Sequence, residues 1–172
     1  PKNLVGGVIG GSVIQGKFNI GEEIEIKPGV LIKNSYQPLK TTILGLKKGE
    51  LSLQEAGAGG LLGVMTNLDP TLTKSDSLVG SVVGLPGTLP PVMNSLILEL
   101  HLLERVVGAK ELASVESIKI NENLLINIGT SKSLGSVASI KRGLVEVKLK
   151  IPICAKKVDR VVISRQIQGR WR

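Results

Sequence analysis

Aromatic side chains are scarce in this 172-residue chain: Phe18, Tyr36 and Trp171 are the only three. A stacking platform for single-stranded nucleic acid needs several such rings, so any nucleic-acid partner is expected to be met through its phosphates. Cys154 is the only cysteine, which excludes an intramolecular disulfide and fits a reducing compartment. One cysteine and one histidine, His101, cannot build a Cys/His zinc site. A Ser-His-Asp mechanism would have to run through His101, which sits in the strand-like "ILELHLL" and reads as an ordinary strand or surface residue. No apolar run approaches the roughly 18 residues of a membrane span. The first ten residues show no charged segment followed by an apolar one. A cytoplasmic location with no membrane partner is the expectation. Neither a phosphate-cradling GxxxxGK[ST] loop nor a guanine-reading NKxD tetrapeptide occurs. Glu22, Glu23 and Glu25 are neighbours, but the pattern puts them at a turn and on an exposed strand face, with no cleft. No enzyme is predicted.

What is present reads as β-structure. "EEIEIKP" and "LVEVKLKIP" alternate, and "TTILGL", "GLLGVMTNL" and "LVGSVVGL" are short strand-like runs between turn residues. "SIKINENLLINIG" and "DRVVISRQIQGRWR" alternate in part. Turn signals every 8–12 residues or so argue for barrels or sandwiches. The stretch "VGGVIGGSVIQG" (residues 5–16) alternates like a strand although five of its twelve residues are glycine. Glycine weakens a strand, so positive φ, a bulge or close approach of another backbone is predicted there. Residues 100–115, "LHLLERVVGAKELASV", have the composition of a short helix interrupted by Gly108. "GLPGTLPPV" (residues 84–92) is the candidate boundary, dividing the chain into barrels of residues 1–87 and 88–172.

Charge is unevenly placed. Residues 1–131 carry 11 Lys+Arg against 12 Asp+Glu, whereas residues 132–172 carry 11 against 2. The whole excess lies in the last quarter, which suggests a polyanion near the C-terminus. "VEVKLKIP" places Glu146, Lys148 and Lys150 on one face. Lys141 and Arg142 fall in the preceding turn, and Lys156, Lys157 and Arg160 in the following one. Together they are predicted to form a contiguous patch for an RNA backbone.

Several motifs together resemble a known family. "GKFNIGEEIEIKPG" (residues 16–29) is similar to a strand–turn–strand of domain II of the translational GTPases, and "QEAGAGGLLGV" (residues 54–64) to a later segment of it. "LDPTLTKSDSLVGSVVG" (residues 68–84) is more selective and resembles the gamma subunit of archaeal and eukaryotic translation initiation factor two. "LLERVVGAKE" (residues 102–111), "SRQIQGRWR" (residues 164–172) and "GGVIGGSVIQG" look like the same subunit. The resemblance implies an all-β fold, two consecutive antiparallel β-barrels as in domains II and III of that superfamily. It also implies that residues near "ERVVGAKE" are a connection between strands rather than a helix. The family's GTP-binding domain, with its GTP and Mg, has no counterpart here. The ends look cut, so a fragment, a split subunit or a trimmed product is expected, with no cofactor of its own.

The same resemblance implies partners and sites. They are initiator methionyl-tRNA, the alpha subunit, the GTP-binding domain of the gamma subunit and the small ribosomal subunit. Glu55 takes the place of a glutamate that packs on the terminal adenosine in the related elongation factor. Gly57, Ala58, Gly59 and Gly60 would let the CCA end approach the backbone. Lys33, Asn34 and Tyr36, exposed at the tip of the loop "PGVLIKNSYQP", and Lys47 and Lys48 in the "LKKGE" turn are the candidates for alpha-subunit docking. Two competitors stand beside this reading. One is the C-terminal part of a selenocysteine-type elongation factor. The other is a standalone basic β-barrel, acting as an RNA-binding or ribosome-associated scaffold.

Overall fold

The computed structural model describes residues 6–103, 115–167 and 169–172. The strands are β1 (Val8–Ser12), β2 (Lys17–Asn19), β3 (Glu23–Ile32), β4 (Ser35–Lys48), β5 (Leu51–Leu53), β6 (Glu55–Gly57), β7 (Leu61–Thr66) and β8 (Val82–Gly84). They continue with β9 (Val92–Glu99), β10 (Asn123–Ile128), β11 (Ser131–Lys141), β12 (Leu144–Cys154), β13 (Val161–Ile167) and β14 (Arg170–Trp171). A single 3-10 turn spans Pro70–Thr73 among the described residues, capped by Asp69, whose carboxylate accepts the Thr71 N–H at 2.8 Å. Most of the helix considered over residues 100–115 lies outside the described residues. His101 follows β9 rather than lying within it.

The chain divides into two compact units, Pro1–Leu89 and Pro90–Arg172. Both are curled antiparallel sheets, so the all-β reading holds. In the first unit the sheet order is β1-β7-β4-β3-β8, with β5 on β4 and a separate β2-β6 pair. Its core is Val13, Ile24, Ile43, Leu46, Ala56, Leu62 and Val64. The second unit runs β14-β13-β10-β11-β12-β9 around Leu124, Ile126, Val137, Val145, Val147 and Ile153. Alternation does what the pattern of "LVEVKLKIP" requires: Val145 and Val147 are buried while Leu144 and Lys148 are exposed. Beyond Lys148 the register with β9 shifts. There the Ile151 N–H is met by Ser133 Oγ at 3.0 Å, so a bulged backbone donor is not left unpaired.

One expectation fails on inspection of side chains. Glu25 is buried, not on a solvated face. Residues beyond β8 fold back over it, so that the Gly87 N–H donates to its carboxylate at 3.3 Å and Lys27 Nζ lies 3.3 Å away. Burial opposes its charge, but these partners outweigh it and hold the carboxyl below its usual range. Glu22 is half-buried and accepts the backbone N–H and side-chain amide of Asn19, closing the β2–β3 turn.

The glycine-rich opening stretch has a divided explanation. Gly6 has φ +91°, and a Cβ there would stand 1.9 Å from the Thr66 carbonyl oxygen. This is the predicted close approach of backbone. Gly10 and Gly11 have nothing within 4 Å of a would-be Cβ, and nothing in the structure explains them.

Candidate functional site

The Gln54–Gly60 region is held by short pairing. β6 lies against β2 with Asn19 opposite Glu55, Phe18 opposite Ala56 and Lys17 opposite Gly57. Ala56 points into the core, which turns Glu55 outward. The Glu55 carboxylate meets Lys17 Nζ at 3.0 Å, with both side chains more than half exposed. An exposed pair of this kind contributes about 0–1 kcal/mol, so Glu55 can exchange Lys17 for a ligand at little cost. Gly59 donates its N–H to the Val13 carbonyl at 3.1 Å, and Ala58 and Gly60 are exposed. Lys48 Cε and Nζ lie 3.0 and 3.1 Å from where a Gly60 Cβ would be.

Three exposed aliphatic residues share this end of the unit. Ile14 follows the Val13 that accepts from Gly59, Leu61 follows Gly60, and Leu51 pairs with Lys48. They are 84%, 78% and 68% exposed. Sequence reasoning missed these three and Lys17. No local pattern marks them, because their placement follows from the β1–β7, β2–β6 and β4–β5 registers.

The two segments predicted as candidates for docking lie at opposite ends of β4. Lys33 and Asn34, with φ 46° and 68°, form a two-residue turn between Ile32 and Ser35. Positive φ at both positions is the hairpin geometry that matches strand twist. The segment is thus the end of a β3–β4 hairpin rather than a loop. Tyr36 is half-buried opposite Leu31, not exposed at the tip; Leu31 and Ile32 are the exposed apolar residues there. Lys47 and Lys48 lie at the other end of β4, and Lys48 belongs spatially with Gly60.

The basic residues of the second unit are also spread. Lys141 is the last residue of β11 rather than part of the turn, Arg142 lies in the tight β11–β12 turn, and Lys156, Lys157 and Arg160 lie beyond the far end of β12. Eleven residues of strand, about 30 Å if straight, separate the two turns. Lys148 and Lys150 lie between them. Glu146, on the same face as Lys148, accepts a hydrogen bond from Ser139 at 3.0 Å. Among the described residues, no cluster of three or more His, Cys, Asp or Glu could hold a metal ion, and no helix is long and apolar enough to cross a membrane.

The family model described as "Initiation factor eIF2 gamma, C terminal" matches residues 94–172. The translation initiation factor 2 gamma subunits of Pyrococcus abyssi and Thermococcus kodakarensis are each 53% identical over the whole chain, which spans 43% of their length. That of Methanocaldococcus jannaschii is 50% identical over 99% of the chain and 43% of its own length. Among solved structures, a bacterial selenocysteine-specific elongation factor superposes with a TM-score of 0.63 at 17% identity, covering 94% of this chain and 23% of that one. At that identity the likeness concerns the fold alone: the β-barrel architecture of translational GTPases. Half-identity along the entire chain to gamma subunits, with the C-terminal family match, makes this chain a member of the translation initiation factor 2 gamma family, corresponding to its C-terminal part.

Proposed function

We propose that the chain acts in translation initiation as the barrel part of a gamma subunit, with residues 1–87 in the role of domain II and 88–172 in that of domain III. In this reading the first barrel receives the aminoacylated CCA end of initiator methionyl-tRNA and holds the alpha subunit. The GTP-binding domain supplies GTP and Mg, and the small ribosomal subunit receives the assembly. The observation that carries it is the outward Glu55 on the same short segment as the exposed Gly59–Gly60 backbone, with Ile14 and Leu61 exposed next to the Val13–Gly59 hydrogen bond and Leu51 exposed opposite Lys48. A carboxylate, accessible backbone and exposed aliphatic side chains suit a sugar, a close-approaching nucleotide and the face of a base.

In the complete factor, Glu55→Ala should weaken methionyl-tRNA binding by about 1–3 kcal/mol. Stability should fall by less than about 1 kcal/mol, since only an exposed ion pair is lost. Filter binding of charged tRNA at unchanged affinity would reject the site. The elongation-factor alternative is disfavoured by 17% identity against 53%.

Alpha-subunit docking is assigned to the β3–β4 turn. Because both turn residues have positive φ, alanine there would strain the backbone. Lys33→Asn with Asn34→Gly keeps the turn type and removes the Lys33 charge and the Asn34 side chain. This pair of substitutions should release the alpha subunit in a pull-down while leaving the melting curve unchanged. Retention at full affinity would move docking elsewhere.

A further inference from the structure

One cross-strand row on the outward face of the second unit joins residues that lie far apart in sequence. Trp171 on β14 is opposite Gln166 on β13. Asn123 on β10 is opposite Ser136 on β11, Ser136 is opposite Lys148 on β12, and Lys148 is opposite Ser95 on β9. The β10–β13 register pairs Leu124 with Arg165, which carries Asn123 alongside Gln166. Partners across a ladder share a face. The neighbouring register positions Leu124, Val137, Val147 and Leu96 are buried, so this row faces away from the core. Lys132 shares the face, opposite Asn127.

Trp171 is 41% exposed, enough to offer a ring face while the rest is held by the sheet. Gln166 and Asn123 each supply an amide that both donates and accepts. Four strand spacings separate Trp171 from Lys148, about 19 Å. The face is asymmetric in charge. Its carboxylates Glu146 and Glu99 lie on β12 and β9, away from Trp171, and Glu146 already accepts from Ser139.

The scarcity of aromatics argued against a stacking platform, but the register sets one ring in line with two amides, and we propose that this face binds a short single strand of RNA. One unpaired base stacks on Trp171, Gln166 and Asn123 meet base edges or 2′-hydroxyls, and Lys148 and Lys132 take phosphates. A duplex keeps its bases stacked on each other and has none to give the indole, so the site favours single strands. The proposal rests on the reading that the basic second unit, with Lys141, Arg142, Lys148, Lys150, Lys156, Lys157 and Arg160, contacts RNA backbone. It adds a specific face and a stacking residue to that reading.

Trp171 is the only tryptophan, so emission excited selectively at tryptophan, beyond the absorption of Tyr36, reports this face. The full chain is titrated at low salt with oligouridylate and with duplex RNA of equal length, and labelled-RNA anisotropy gives affinity across salt. The single strand should quench Trp171, and the duplex should not. Trp171→Leu should weaken single-strand binding about tenfold with the salt slope unchanged, and Trp171→Phe should restore part of it. Lys148→Gln should lower the slope by about 0.7. Salt-dependent binding of both RNAs with silent or equal Trp171 quenching overturns this inference and leaves backbone binding standing. Binding of neither RNA overturns both.

Discussion

Gly29→Ala should disrupt the β3–β4 hairpin and destabilise the first unit by about 3–5 kcal/mol. Gly29 has φ +87°, a region that costs an L side chain of order 1–3 kcal/mol. The added Cβ would stand 1.9 Å from the Gln37 carbonyl oxygen and 2.9 Å from the Pro38 Cα. Both obstacles are backbone, so no rotamer change relieves them. The register of β3 against β4 shifts between Ile26 and Val30, and Gly29 sits in that irregularity. Moving it would disturb Ile26 and Val30, both buried. Hydrogen exchange of the β3 and β4 amides measures the loss directly. Gly10→Ala is the matched control: with open space around Gly10, it should change stability by no more than about 0.5 kcal/mol. Equal protection in Gly29→Ala and the parent would mean that the hairpin tolerates a side chain the geometry forbids.

Arg165→Ala should cost the second unit about 2–4 kcal/mol and alter its acid limb. Arg165 grips Glu122 with two nitrogens, at 2.5 and 3.0 Å, and also donates to the carbonyls of Glu116 and Ser117. The two side chains are 13% and 20% exposed, so solvent screens the pair only in part. The cost therefore falls somewhat below the roughly 3–5 kcal/mol of a fully buried pair that loses one partner. Burial of Glu122 opposes its ionisation. Hydrogen bonds from Arg165 and the Lys119 N–H, with the positive charges of both residues, outweigh this and hold the carboxyl below its usual value. The sign follows: the stabilisation is complete above the unfolded-state value near pH ~4.3 and is lost as pH falls through the lower folded-state value. Urea midpoints followed by Trp171 emission should fall in that acid window for the parent. The fall should be shallower in Glu122→Gln. A parallel pH dependence in the two would detach the window from this carboxylate.

Much of the fold was legible because strand alternation is local. "LVEVKLKIP" and "EEIEIKP" announce which side chains enter the core, and glycine-rich and proline-rich turns punctuate the runs between them. The family was legible through "LDPTLTKSDSLVG" and its companions, since a dozen residues in fixed order are specific whatever their fold. Glu25 escaped, because a strand pattern cannot show that the chain beyond β8 folds back and donates the Gly87 N–H to the ionised carboxylate. Tyr36 and Lys48 escaped for a related reason: a side chain's surroundings depend on which strand lies across the ladder. By itself the sequence determined the β-class, the kinship, the absence of nucleotide-binding loops and the basic last quarter. The tertiary structure alone decided register. Pairing set Lys17 beside Glu55, brought Lys48 over Gly60, and lined Trp171 up with Gln166, while Asn123, Ser136 and Lys148 fell into a row. A ladder joins residues tens of positions apart through backbone hydrogen bonds, and those bonds are the same for every side chain.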